Sequence, residues 1–187
     1  MGYDNKDLLS VINLLKKYCV FGMDKFDNRI IFQKAVYFAQ QKGMTGLNDY
    51  NFNWYIYGPY CPKLTEDGFK IDASKNTHKS FQETKDMADL ENFLGNEKIA
   101  DPIWMEVLAS IHFLKRIYPS KTKEEIITMV KSKQPYIEKK ACIKAWNQLE
   151  KCETKANKMF GKIAVEDKNR LCRAYVRKKL KGLEGRK

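Results

Sequence analysis

Residues 50–64 read YNFNWYIYGPYCPKL. Phe52, Trp54 and Ile56 alternate with Asn51, Asn53, Tyr55 and Tyr57, a period of two in strand-favouring residues. Everything around this stretch has helical periodicity, so the chain must accommodate one ribbon within a helical body. Gly58-Pro59 is expected to stop the strand, because proline cannot donate to a ladder. A lone strand needs a partner, and residues 75–82, KNTHKSFQ, are the only nearby candidate. So much rigid apolar surface suits a core strand, a binding face or the wall of an active site.

Helices are predicted on both sides. Residues 7–20 place Leu8, Val11, Ile12, Leu15 and Cys19 on one face. Residues 27–42 repeat the pattern with Phe32, Ala35, Val36 and Ala39, with Asp27 as N-cap and Gly43 as stop. Ile31 and Phe38 widen that stripe, which predicts burial around much of the helix. Pro62 suits the first turn of a helix over 63–73, and residues 84–94 read as a short one. Asp101-Pro102 caps a helix bearing Ile103, Trp104, Val107, Leu108, Ile111 and Leu114. Thr122 and Glu125 form a capping box for Ile126, Ile127 and Val130, and Pro135 ends that helix. Ile137, Ala141, Ala145 and Leu149 stripe the next. Ala156, Met159, Phe160, Ile163, Leu171, Tyr175 and Leu180 continue the periodicity. The expected fold is mainly α, with a small antiparallel β element at residues 50–57. The expected organisation is a helical domain over 1–150 with a basic helical extension over 151–187.

A chain of 187 residues can bury roughly 70% of its unfolded surface and needs no covalent staples. The five cysteines, Cys19, Cys61, Cys142, Cys152 and Cys172, are widely spaced, and His78 and His112 stand apart. That excludes a zinc framework or a disulfide scaffold and predicts free thiols in the cytoplasm. The first ten residues lack the basic and apolar regions of a signal peptide. No apolar run reaches the ~18 residues of a membrane span, so no membrane partner is expected. The net charge of +12 is uneven: residues 151–187 carry thirteen Lys/Arg against four Asp/Glu, a net of +9. Such a tail attracts phosphate backbones, an anionic membrane surface or an acidic protein, although a solvated helical face has the same composition.

Two helices joined by Gln134-Pro135-Tyr136 resemble a helix-turn-helix. The second would present Lys139, Lys140, Lys144, Asn147, Gln148 and Lys151 to a nucleic acid, supplemented from the tail by Arg173 and Arg177. Short-linked helix pairs and exposed lysines are also ordinary features of helical domains. Catalysis has little support. There is no phosphate loop, dinucleotide fingerprint or zinc-protease motif, and Cys61 would need a base such as His78 or His112 beside it. No catalytic residue, metal or cofactor is expected. Tyr55, Tyr57 and Tyr60 combine apolar bodies with polar tips, the type enriched at protein interfaces. Phe52, Trp54 and Ile56 are expected to face the core.

Residues 31–38, IFQKAVYF, and 52–60, FNWYIYGPY, together resemble the Panacea domain and, more closely, small YwgA-like bacterial and archaeal proteins. The resemblance covers roughly residues 8–73. It implies a mainly helical domain with a small antiparallel sheet, and an antitoxin-like role in which another protein, a toxin, is neutralised by direct contact. The matching positions are Gln33, Lys34, Tyr37, Trp54, Tyr57, Gly58 and Pro59. Phe32 stands where leucine is usual and Cys61 where serine is usual, and cysteine is the poorer cap for the helix at Pro62. Gln33 and Lys34 lie on an otherwise apolar helix and, if buried, need partners. The Tyr57 hydroxyl and the carbonyls around Gly58-Pro59 are the candidates, which would make the pair architectural. The expected function is a non-enzymatic protein-binding module that masks or recruits a partner. The alternative is a nucleic-acid-binding regulator using residues 122–152 and the basic tail.

Overall fold

A computed structural model describes residues 5–73, 85–95 and 98–152. It is mainly helical, with one two-stranded antiparallel sheet. The chain divides into two compact units, residues 1–147 and 148–187. Of the second only residues 148–152 are described, and they are helical. The predicted strand partner at 75–82, the apolar periodicity beyond 152, His78, Cys172, Arg173 and Arg177 lie outside the described residues.

Helix α1 (Lys6–Lys16) begins at Asn5, whose side chain accepts the Leu8 amide, and buries Leu8, Val11, Ile12, Leu14 and Leu15. It ends four residues before the predicted boundary, and Cys19 lies beyond it, half-buried. Helix α2 (Phe26–Gln41) is buried continuously from Ile30 to Ala39, as its widened stripe predicts. Asp27 is not its N-cap. The extended residue is Lys25, which makes no side-chain cap, and Asp27 sits in the first turn, where a carboxylate still favours the helix dipole. Gly43, at φ 96°, ends α2 in the left-handed conformation that glycine adopts without strain.

The ribbon is a hairpin. Strand β1 (Asn53–Tyr55) pairs with β2 (Gly58–Tyr60), Trp54 opposite Pro59. Gly58-Pro59 therefore begins the partner strand and does not terminate the ribbon. Gly58 at φ 82° turns the chain, and a two-strand ribbon has an open edge that tolerates proline's missing donor. The alternation stops at Tyr55, because Ile56 lies in the turn and is 48% exposed. Phe52 and Trp54 are half-buried. The expectation that all three face the core fails at Ile56.

Helix α3 (Pro62–Ala73) follows, then α4 (Lys85–Leu94) with Met87, Leu90, Phe93 and Leu94 buried. Helix α5 (Pro102–Ile117) is the central element. Asp101 caps it by accepting from the Ile103 and Trp104 amides, and residues Trp104 to Ile111 are all buried. Ile103, in the first turn, is exposed instead of lining the predicted stripe. α5 packs chiefly on α2 and also touches β2 and α6 (Lys123–Lys133). α6 opens with the predicted Thr122/Glu125 capping box. Helix α7 is described over 139–152. It buries Ala145 and Leu149 of the predicted stripe and adds Cys142 and Trp146, while Ala141 is only half-buried. Ile137 is buried just ahead of the helix.

Candidate functional site

Two polar side chains sit in the most buried part of α2. Gln33 and Lys34 are only 2% and 1% exposed. Gln33 treats the Cys61 backbone as a peptide would. Its Nε2 donates to the Cys61 carbonyl at 2.9 Å, and its Oε1 accepts the Cys61 amide at 3.0 Å. The same Nε2 reaches Thr65 Oγ1 at 2.8 Å, and that hydroxyl donates to the Tyr60 hydroxyl at 3.1 Å. Lys34 Nζ donates to the Pro59 carbonyl at 2.9 Å. The helix and the Tyr-Gly-Pro turn are thus joined through backbone groups. The Tyr57 hydroxyl, the other partner considered from sequence, is not used by either residue.

The closeness of this junction depends on Gly58. A Cβ there would lie 2.5 Å from Ser110 Oγ, 3.5 Å from the Glu106 carbonyl and 3.6 Å from Lys34 Cε. β2 is therefore pressed flat onto α5.

Glu106 is the residue that the sequence reading passed over. It is 2% exposed, accepts from Gln134 Nε2 at 2.7 Å and also accepts the Tyr136 hydroxyl. Burial pushes its carboxyl up, countered by Tyr136 and by the Lys34 charge. Burial lowers Lys34 to about 7, countered by Glu106. A single carboxylate inside the apolar run IWMEVLASI was the available signal, since an unpaired buried charge is costly. Two buried atoms beside this network, Ser110 Oγ and Gln134 Oε1, have no hydrogen-bond partner among the described residues.

Tyr37 lies further along α2. Its hydroxyl is 2.7 Å from His112 Nδ1, and its ring meets Phe52 edge-on at 5.3 Å. Burial raises the Tyr37 hydroxyl above its ordinary range. His112 is held down to about 4, first by burial and then by Arg116, Lys115 and Lys42. Trp54 stacks on Phe113 at 6.1 Å, with Lys133 over its face. All seven motif positions thus lie at or beside the contact of the hairpin with α2 and α5. His112 pairs with Tyr37, while the Cys61 backbone pairs with Gln33. No hydrogen bond joins the Cys61 thiol to a histidine among the described residues. These residues also hold no cluster of three or more metal-ligating side chains.

Outside the junction the surface is aromatic. Tyr55 is 56% and Tyr57 37% exposed. Tyr57 meets Phe26 edge-on at 5.0 Å and Tyr136 at 6.5 Å, both of them exposed, and Tyr55 lies 5.7 Å from Tyr60. Between these rings and α2 is a cleft of about 230 Å3, lined by Phe26, Arg29, Ile30, Gln33, Lys34, Tyr55, Tyr57, Tyr60 and Thr65. Rigid rings over a hydrogen-bonded base can receive an apolar group with little loss of side-chain freedom.

On α7, Lys139, Lys140, Lys144, Asn147 and Lys151 are exposed, and Gln148 is half-buried. Lys140 pairs with Glu138 at 2.8 Å, and Asn147 Oδ1 accepts from Lys123 Nζ at 3.1 Å. Lys139, Lys144 and Lys151 have no ion pair among the described residues. No helix of the described residues is long and apolar enough to cross a membrane.

No protein-family model, curated protein or solved structure matches the chain.

Proposed function

We propose that the chain is a non-enzymatic protein-binding module that masks or recruits a partner through its aromatic hairpin. The observation that carries this reading is the exposed set of rings Phe26, Tyr55, Tyr57 and Tyr136, in which Tyr57 meets both Phe26 and Tyr136. These rings stand on a base whose buried polar groups are spent on the backbone of Pro59 and Cys61. Large aromatic residues on a preorganised support are the type that carries most binding energy at interfaces. Neutralising a toxin is the version of this activity that the Panacea-like motif implies.

The test is to mix the protein with the product of a neighbouring gene and follow complex formation by size-exclusion chromatography with light scattering. Tyr57→Ser and Tyr55→Ser should each weaken the complex by about 2 kcal/mol, the scale of an interface hot spot, with the melting temperature little changed. A stable complex indifferent to the double substitution would refute the hairpin as its docking face.

A second reading is supported by the exposed lysines of α7. As a nucleic-acid binder, the protein would shift arbitrary duplex DNA at low micromolar concentration. The affinity would fall steeply with salt, since each phosphate contact adds about 0.9 to the log–log slope. Lys139→Glu and Lys144→Glu should reduce that slope, and no shift at low salt would exclude this reading.

A further inference from the structure

Among the nine residues lining the aromatic cleft, two are basic, Arg29 and Lys34, and none is a carboxylate. Arg29 is already oriented. One of its terminal nitrogens, Nη1, donates to the carbonyls of Met23 at 2.9 Å and Asp24 at 3.0 Å. Its guanidinium carbon lies 5.4 Å from the centre of the Phe26 ring. The Nε and Nη2 edge makes no hydrogen bond to any described residue. That edge is the two-pronged fork that matches a carboxylate, and a fork whose other end is fixed loses little freedom on binding. The remaining walls are apolar or ring surface: Phe26, Ile30, Tyr55, Tyr57 and Tyr60.

A ligand that satisfies both features carries a carboxylate and an apolar body a few ångströms apart. We propose that the cleft takes the C-terminal residue of a partner polypeptide, its apolar side chain among the rings and its terminal carboxylate on the free edge of Arg29. This rests on the protein-binding reading above and names the part of the partner that is gripped. A chain terminus is favoured over an internal acidic residue because only there do an apolar side chain and a carboxylate share one Cα. The volume of about 230 Å3 suits one large side chain and excludes a folded element. Three unused N–H groups of a partly desolvated arginine make a charged acceptor worth far more than a neutral amide at the same place.

The experiment is isothermal titration of the wild-type protein with three probes. These are a five-residue Gly/Ser peptide ending in phenylalanine with a free carboxylate, the same peptide with a C-terminal amide, and 3-phenylpropionate. The free-acid peptide should bind at least roughly tenfold tighter than the amide, which corresponds to ~1.4 kcal/mol. Arg29→Gln should abolish that preference while leaving the amide's weak binding in place. Arg29→Lys, which keeps the charge and loses the fork, should recover only part of it. Equal binding of acid and amide, or no binding of the acid at millimolar concentration, overturns the proposal. Phenylpropionate binding as tightly as the peptide also overturns it, since the cleft would then serve a free small carboxylate. The two readings separate with a full-length partner. If binding survives removal of the partner's last three residues but is lost in Tyr57→Ser, the terminus assignment fails and the hairpin docking face stands.

Discussion

The Lys34 ammonium donates to the Pro59 carbonyl at 2.9 Å, from the continuously buried stretch Ile30–Ala39 of α2 to the second strand of the hairpin. That bond helps to fix the only sheet among the described residues to the core. It does so with a group that pays a desolvation penalty in its charged form, offset in part by Glu106 on α5.

That penalty sets a pH dependence. The folded pKa of Lys34 is lowered from 10.5 to about 7. Between those values the unfolded chain binds the extra proton, so stability rises with pH across the window and is lost as pH falls towards 7. The urea midpoint of the wild type should rise from pH 7 to pH 8.5 by the equivalent of roughly 1–2 kcal/mol. Lys34→Met, similar in length and uncharged, should show a flat profile over the same range. An equal slope in both proteins would place the effect elsewhere.

His112 acts at the acid end. Its pKa is lowered from 6.5 to about 4, so it contributes stability that is full above pH 6.5 and lost as pH falls through 4. The contribution is up to about 3 kcal/mol. His112→Asn should make acid unfolding between pH 6 and pH 4.5 shallower, as followed by tyrosine and tryptophan fluorescence. An unchanged acid limb would mean that the ring is protonated in the native state.

Gln33 accepts the Cys61 amide and donates to the Cys61 carbonyl at the entry to α3, where that carbonyl also accepts the Thr65 amide at 3.4 Å. Gln33→Leu fills the space but leaves the buried Cys61 amide without a partner and its carbonyl with only the longer Thr65 bond, which costs about 1–3 kcal/mol. Chemical denaturation should show this loss with an unchanged denaturant slope. A loss below half a kilocalorie would mean that water replaces the side chain and that the junction is open.

Gly58 and Gly43 both have positive φ, yet they should differ. A Cβ at Gly43 meets nothing within 4 Å, whereas one at Gly58 meets Ser110 Oγ at 2.5 Å. Gly43→Ala should cost about 1 kcal/mol for the left-handed backbone alone, and Gly58→Ala at least about 2 kcal/mol more. Adding Ser110→Ala should recover part of the second loss. That change also removes a buried hydroxyl without a partner, so on its own it should be close to neutral. Equal costs at the two glycines would show that the hairpin can lift off α5.

Much of the helical frame was legible because it is written locally. Asp101, the Thr122/Glu125 box and Gly43 satisfy helix ends within a few residues of themselves. The 3.6-residue stripes of α1 and α2 state which faces are buried. The demand of Gln33 and Lys34 for partners was also readable, because buried polar groups on an apolar helix must be satisfied. The hairpin was half legible. Its first strand showed in the alternation, but a second strand of Gly-Pro-Tyr carries the signals of a terminator, and only pairing with Asn53–Tyr55 turns it into a strand. Ile56 was misplaced for the same reason, since a turn overrides the alternation that precedes it.

The amino-acid order by itself determined the helices, the caps at Asp101 and Thr122, the presence of one ribbon and the need to neutralise two polar groups in α2. These follow from interactions spanning a few residues, or from the cost of burial alone. Tertiary structure decided the rest: that Lys34 would take the carbonyl of Pro59, that Glu106 would lie close enough to share its charge, and that Arg29 would line an aromatic cleft with one edge unused. Those relationships join α2 to residues about 25 to 70 positions later or depend on the space left between them, and no local pattern records how far apart two distant segments come to rest.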